Sequence, residues 1–177
     1  MNVVPLAEAT GRLRTDHELL LAQVTVRPEA ELSAPYRTAA GPLGDFCDSL
    51  HDLVAHVLMW DEINLAVLAE AAAGRVHWSL DPGWETPAAG RRLNLSGVAA
   101  GRQLPARLLL HRFRAVRDAL LAEFAGYSEQ AWAGGGQAPA GGTGALAQRA
   151  WTVPGHAAFW HAAIHLDQLP GKGQAPC

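Results

Sequence analysis

A pair of histidines in an apolar stretch near the end of the chain most constrains how the chain can fold. His161 and His165 stand four residues apart within PGHAAFWHAAIHLDQL, residues 154–169. On a helix this spacing places both imidazoles on one face, about 6 Å apart along the axis. The residues around them are mostly Ala, Ile, Leu, Phe and Trp, so the helix must be largely buried, and buried imidazoles need polar partners. The partner of these imidazoles could be a shared metal ion, or each imidazole could hydrogen-bond to a carbonyl or carboxylate of the core.

The same stretch carries signals for both ends of a helix. Thr152 is a suitable N-cap, and Pro154 suits the first turn, where a missing N–H costs nothing. Pro170 and Gly171 predict the end of the helix. Residues 170–177, PGKGQAPC, are expected to form a disordered tail.

Three earlier segments show helical periodicity: 5–26, 49–73 and 104–124. The second begins with Ser49 and Asp52, a capping-box-like pair ahead of an apolar run. No repeat or strand alternation is visible. We therefore predict an all-α fold with four main helices and long crossover loops, forming a single domain over residues 1–169.

Three connecting segments are predicted to be loops. Residues 28–45 are rich in proline and glycine, and 126–150 contain a Gly/Ala/Pro stretch too flexible for a core. Residues 75–103 hold an aromatic and cationic mixture suited to line a pocket, or simply to cover the end of the bundle. The residues concerned are Trp78, Trp84, Arg91, Arg92 and Asn94.

Basic residues cluster between positions 91 and 117, where seven of the 14 Lys and Arg residues lie. Such a cluster either attracts an anionic substrate or thiol cofactor, or forms a solvated helix face. On the third helix we expect the arginines to lie mostly on the outside: Arg107, Arg112, Arg114 and Arg117.

Composition excludes several classes of protein. The chain has 177 residues and a net charge of −3, so no basic excess indicates nucleic acid as a partner. It has no signal-peptide pattern and no apolar run long enough to cross a membrane, which predicts a cytoplasmic protein. Cys47 and Cys177 form neither a disulfide framework nor a thiolate metal site, so Cys47 is expected to be a free core thiol.

A third histidine lies in an equally apolar setting. His56 follows the Ser49 cap by two turns, and Trp60 follows it by one turn. Three protein histidines leave a position on a metal open to water, which is typical of catalytic rather than structural sites. His156 should face away from His165 on the last helix and is not expected to be a ligand.

The two histidine-bearing helices resemble those of the DinB/YfiT superfamily. SLHDLVAHVLMWDEINLAVL is similar to that superfamily's Ser-capped second helix, and HAAIHLDQL is similar to its last helix, with His-x-x-x-His and a Gln soon after. The resemblance implies a four-helix bundle that binds a divalent metal through His56, His161 and His165. Relatives in that superfamily include thiol transferases or isomerases that use mycothiol, bacillithiol or glutathione, and self-protection proteins of the ClbS type. The resemblance therefore implies one of these activities for this chain.

The resemblance leads to three functional hypotheses. The first is a metal-dependent enzyme that activates a thiol or water to attack a small electrophile, and the second is a self-resistance hydrolase acting on a reactive natural product. The third is a non-catalytic bundle that binds or sequesters a small molecule. Zinc, nickel, iron or copper suits imidazole ligands, and a low-molecular-weight thiol such as mycothiol is a candidate cofactor.

Further site residues follow from the same placement. Gln168 shares the face of the histidine pair, so it is a candidate catalytic residue that hydrogen-bonds bound water or orients a ligand. Trp60, Trp84, Arg91 and Arg92 are candidates for substrate binding. Bundles of this size often form dimers, so a homodimer is a candidate oligomeric state.

Overall fold

A computed structural model describes residues 3–35, 46–83, 86–134 and 142–169, and within these ranges it contains helices and no strand. The all-α prediction is therefore confirmed. Trp84 and the tail 170–177 lie outside the described residues. The helices are Leu6–Val24 (α1), Glu29–Leu32 (α2), Leu50–Ala72 (α3), Pro87–Gly101 (α4), Ala106–Ala125 (α5), Glu129–Trp132 (α6), Thr143–Ala150 (α7) and His161–Leu166 (α8), with a 3-10 turn at Trp78–Leu80.

The long helices α1, α3 and α5 pack with three shorter helices, α4, α7 and α8. α3 packs against α4, α5 and α7, while α1 packs against α5 and α8. In the described residues after α5, the helices that reach the bundle are short: α7 has eight residues and α8 has six. None of the helices in the described ranges is long and apolar enough to cross a bilayer.

The helix α3 begins and ends as the sequence predicts. The Ser49 hydroxyl accepts a hydrogen bond from the Asp52 backbone N–H (3.2 Å). The Asp52 carboxylate in turn accepts from the backbone N–H of Asp48 (2.8 Å), so the two side chains satisfy donors at the start of the helix. Gly74 follows the last turn with a φ of +71°, a conformation that glycine adopts without strain.

The prediction of a loop over residues 75–103 is wrong for its second half, which forms α4. Thr86 caps this helix by accepting from the Ala89 backbone N–H (3.2 Å), and Pro87 occupies the first turn. A side chain at Gly101 would place its Cβ 2.2 Å from the Ala55 Cβ on α3. The absence of a side chain therefore lets α4 pack closely against the helix that carries His56.

The last helix is shorter than predicted. It begins at His161, because residues 152–160 form turns that include Phe159 with a φ of +69°. Thr152 is not its cap, since the Thr152 hydroxyl instead donates to the carbonyl of Gln148. Periodicity alone could not reveal this break, because the turn and the helix are equally apolar.

The segment 126–150 also contributes to the core, contrary to prediction. Trp132 is fully buried, and its indole N–H donates to the carbonyl of Val4 (2.8 Å). α7 packs against α6 so closely that a Cβ at Gly144 would lie 1.9 Å from the Trp132 carbonyl oxygen. Residues 135–141 of this segment lie outside the described ranges.

Two apolar clusters fill the bundle, and a buried ionic layer lies between them. Arg117 of α5 pairs with Asp16 of α1 (3.1 Å) and with Asp61 of α3, and it donates to the carbonyl of Leu13 (3.2 Å). All three charged side chains are essentially inaccessible. The predicted outer position is therefore wrong for Arg117, although Arg107, Arg112 and Arg114 are exposed.

Replacing Arg117 is expected to destabilise the protein strongly. In Arg117→Met two buried carboxylates lose their counter-charge, so the free energy of unfolding should fall by about 3–5 kcal/mol at pH 7. Arg112→Met is the matched control, because Arg112 pairs with Glu62 at the surface and such pairs contribute about 0–1 kcal/mol. Urea unfolding of both variants measures the difference, and equal losses would contradict a structural role for the buried layer.

Candidate metal centre

Three imidazoles from two helices converge on one point. His56 Nε2 of α3 lies 3.0 Å from His161 Nε2 and 3.2 Å from His165 Nε2, both on α8. One nitrogen from each ring lies within 4.8 Å of the others. His56 and His165 are buried, and His161 is half-buried. The structure thus brings together the histidines that the resemblance implied as ligands.

The spacing of these nitrogens is compatible with a shared metal ion, and hydrogen bonding among the rings cannot use all of them. Two nitrogens at 2.0–2.1 Å from one zinc ion stand about 3.3 Å apart when the coordination is tetrahedral. A neutral imidazole nitrogen is either a donor or an acceptor, so His56 Nε2 cannot form a full hydrogen bond with both neighbours. A cation at the point of convergence would use all three lone pairs at once.

All three imidazoles are held in the neutral form that binds metals. Burial lowers the pKa of His56 and of His161 well below the usual value, and the neighbouring imidazoles lower both further. Burial also lowers the pKa of His165, partly offset by a hydrogen bond with Gln168. The lone pairs are therefore available near neutral pH without loss of a proton.

Gln168 lies behind the cluster instead of facing it. Its Oε1 is 3.3 Å from His165 Nδ1, so a proton on Nδ1 can donate to the amide oxygen and leave Nε2 free as a ligand. His56 differs, because its buried Nδ1 has no hydrogen-bond partner among the described residues. The placement of Gln168 supports a role in orienting His165.

A carboxylate from another helix holds α8 in place. Asp16 Oδ2 accepts from the backbone N–H of Ala162 (3.1 Å), and Oδ1 accepts from that of Ala163 (2.8 Å). These N–H groups belong to the first turn of α8, where no partner exists within the helix. Asp16 thus replaces the missing local cap, and its ion pair with Arg117 connects α8 to α5.

The histidine cluster faces a cavity of about 310 Å³. Aromatic rings and two carboxamides form much of its wall, and the described lining contains no Asp, Glu, Lys or Arg. The cavity lies at the small end of the range for ligand sites. Its lining consists of the three histidines with Phe46, Trp60, Asn64, Asn94, Ala150, Trp151, Thr152, Val153 and Pro154.

The other candidate residues lie at varied distances from this cavity. Trp60 lines it, and its indole N–H donates to Asn94 Oδ1 (2.9 Å). Arg91 and Arg92 are exposed on α4 and are not part of the described lining. His156 is exposed and lies in the turns before α8, so it is not on the helix where the sequence placed it. Cys47 is a buried free thiol whose pKa is raised by burial.

Sequence reasoning missed two residues that matter to the site. Asn64 lies eight residues after His56 and four after Trp60, so an i, i+4, i+8 pattern on one helix face could have revealed it. Asp16 sits in α1 between apolar positions that face the core, which marks it as a buried carboxylate. No local signal connects Asp16 to a helix about 145 residues away.

Fold and cluster together define a class of protein, an all-α bundle with a three-histidine cluster that could hold a metal ion. No protein-family model and no curated protein matches the sequence significantly. The crystal structure of the colibactin self-resistance protein ClbS in complex with a dsDNA is similar, with a TM-score of 0.69 and 18% identity over 97% of this chain and 98% of that chain.

A second structure agrees with the first. An uncharacterised protein from Escherichia coli UTI89 has a TM-score of 0.68 and 16% identity over 90% of this chain and 88% of that chain. At such identities the likeness establishes the fold. It confirms the all-α bundle fold that the sequence resemblance predicted.

Asp16→Asn is expected to loosen α8 more than the rest of the bundle, because Arg117 keeps its buried pair with Asp61. The amide cannot accept both backbone N–H groups, so hydrogen exchange in peptides covering residues 158–169 should accelerate at least about tenfold. Glu18→Gln is the matched control, because Glu18 is exposed on the same helix. Unchanged exchange in Asp16→Asn would show that Asp16 does not hold the last helix.

Proposed function

We propose that the chain is a metal-dependent enzyme in which His56, His161 and His165 hold a divalent metal that activates a nucleophile against a small electrophilic substrate. The observation that carries this proposal is the convergence of three neutral imidazole nitrogens, 3.0 and 3.2 Å apart, on a cavity of ligand size. A divalent metal held this way supplies Lewis acidity, which generates a water- or thiol-derived nucleophile near neutral pH. Zinc, nickel and iron all suit this donor set.

Other residues position the histidines and shape the cavity. Gln168 orients His165, and Asp16 fixes the helix that carries two of the three histidines. Phe46, Trp60 and Trp151 form apolar walls that exclude water around a bound substrate. The open side of the cluster faces this space, so a substrate placed there would meet the activated nucleophile.

Water is the nucleophile that the cavity favours. An anionic thiol cofactor such as glutathione needs cationic partners, whereas the described lining contains no Lys or Arg. Arg91 and Arg92, the predicted partners, are exposed outside that lining. Thiol dependence is therefore the alternative that the activity assay must test.

The ClbS likeness favours self-protection as the biological setting. ClbS is a colibactin self-resistance protein, and this chain shares its fold over nearly the whole length. We propose that the substrate here is also a reactive natural product, which the protein opens or hydrolyses. A bundle that only sequesters such a compound is the non-catalytic alternative.

DNA as a partner, the cellular location and the oligomeric state need tests of their own. The ClbS structure contains a dsDNA. A net charge of −3 and an uncharged cavity lining argue against DNA as the ligand of this chain. A gel-shift assay with duplex DNA tests this, and tight, salt-sensitive binding would contradict it. A cytoplasmic location and a homodimer remain predictions.

Metal content is the first test of the proposal. Untagged protein purified without added metal is expected to contain close to one divalent ion per chain by mass spectrometry. The double variant His161→Ala/His165→Ala should lose it while keeping its helical circular dichroism. His156→Ala is the matched control and should keep the metal, because His156 lies outside the cluster. Wild-type protein that neither contains metal nor takes up zinc or nickel would refute the metal centre.

Turnover is tested with 4-nitrophenyl acetate, a neutral aromatic ester that contains an electrophilic carbon. Metal-loaded wild type is expected to release 4-nitrophenol without added thiol, and His165→Ala should reduce the rate at least about tenfold. His156→Ala should match wild type. Activity that requires glutathione or mycothiol would show that the protein is a thiol transferase instead of a hydrolase. Stoichiometric binding without product would favour sequestration.

A further inference from the structure

We infer that Asn64 and Asn94 form the specificity end of the cavity, and that its substrate is a neutral, flat molecule bearing an amide or similar donor–acceptor group. This inference rests on the proposed function, because it names the class of substrate for the same site. Its evidence is independent of the metal, and comes from the hydrogen bonding and charge of the cavity wall opposite the histidines.

Asn64 lies at the far end of a stripe of polar and aromatic residues on α3. His56, Trp60 and Asn64 follow one another at intervals of four residues, and all three line the cavity. With a rise of about 1.5 Å per residue, the backbone of Asn64 lies about 12 Å along the helix from that of His56. A substrate that reaches both ends is therefore extended, with its polar group and its reactive group on opposite sides of an aromatic body.

Asn64 is a polar side chain whose carboxamide remains open to the cavity. The residue is only 4% exposed and lines the cavity, and its amide atoms are not among the fully enclosed atoms that lack a partner. A ligand that fills the cavity would remove water from this amide, and leaving the amide unpaired would then cost about 1–3 kcal/mol. A ligand that hydrogen-bonds with Asn64 is therefore favoured.

Asn94 is a second carboxamide in the wall of the cavity. Its Oδ1 accepts from the Trp60 indole N–H (2.9 Å), which fixes the orientation of the carboxamide. The amide nitrogen of Asn94 therefore remains to donate to a ligand carbonyl, while Asn64 offers a donor and an acceptor. The pair matches a primary or secondary amide, which needs both.

The described residues around the two carboxamides offer no counter-charge to an ionic group. No acidic or basic side chain is among the described residues that line the cavity. An ionised ligand group would lose its hydration against aromatic walls without gaining a counter-charge, which is far more costly than burying a neutral amide. The neutral class of substrate follows from this difference.

Three monosubstituted benzenes test the inference: benzamide, benzamidine and benzenesulfonate. They carry a neutral amide, a cation and an anion on the same ring. On protein as purified, isothermal titration or ligand-observed NMR should show benzamide binding at least about fivefold more tightly than either ion. Equal binding of the three, or a preference for an ion, would overturn the inference.

Two substitutions of similar size assign the preference to Asn64. Asn64→Leu should weaken benzamide binding about three- to tenfold, the effect expected for one or two neutral hydrogen bonds. Asn64→Asp should reverse the order, so that benzamidine binds about tenfold more tightly than to wild type. Gln130→Leu is the matched control, because Gln130 is exposed away from the cavity and should leave all three affinities unchanged. Unchanged affinities in both Asn64 variants would overturn the assignment.

The readouts separate this inference from the proposed function. Probe binding is measured on samples of known metal content, so a preference for benzamide in protein that takes up no metal would refute the metal enzyme and leave the specificity end standing. Metal-loaded protein that hydrolyses 4-nitrophenyl acetate but shows no preference among the probes would refute only the specificity end. The ranking of the three probe affinities is measured on wild-type protein, so it does not depend on whether a variant folds.

Discussion

The buried pairing of Arg117 with Asp16 and Asp61 connects the two helices that carry the three histidines to the rest of the bundle. Each of the three long helices contributes one charged residue to this layer, which lies between two apolar clusters. Removing charges from water is costly, so such a layer is stable only when the geometry is well defined. The layer therefore fixes how α1, α3 and α5 align. Because Asp16 also accepts from α8, the same alignment determines where two of the three histidines lie.

The sequence predicts the parts of the fold and site that depend on local patterns. Ser49 and Asp52 mark the start of α3, and the four-residue spacing of His161 and His165 places both on one face of α8. The break before His161 was not predictable, because α8 is capped by Asp16 from a distant helix instead of by Thr152. The predicted outer position of Arg117 is wrong for the same reason. A helix with several arginines shows no local sign that one arginine is buried with two aspartates.

The cavity combines two chemical environments that the linear sequence keeps apart. One end contains imidazoles whose burial keeps them neutral, and the other contains carboxamides that can recognise a group without charge. Trp60 lies between them and contributes to both, because its ring lines the cavity while its N–H orients Asn94. The glycine contacts that bring α4 against α3 place Asn94 within reach of this tryptophan, so a close helix packing is also a condition for recognition.

The long separation in sequence between the histidines has a consequence for folding. His56 lies 105 residues before His161, so the two rings meet only when α3 and α8 have packed into the same bundle. Closing so long a segment carries an entropic cost that the packing of the intervening helices must offset. A chain in which α8 has not yet docked therefore presents His56 without the two imidazoles of α8. The cluster forms only when the bundle has closed.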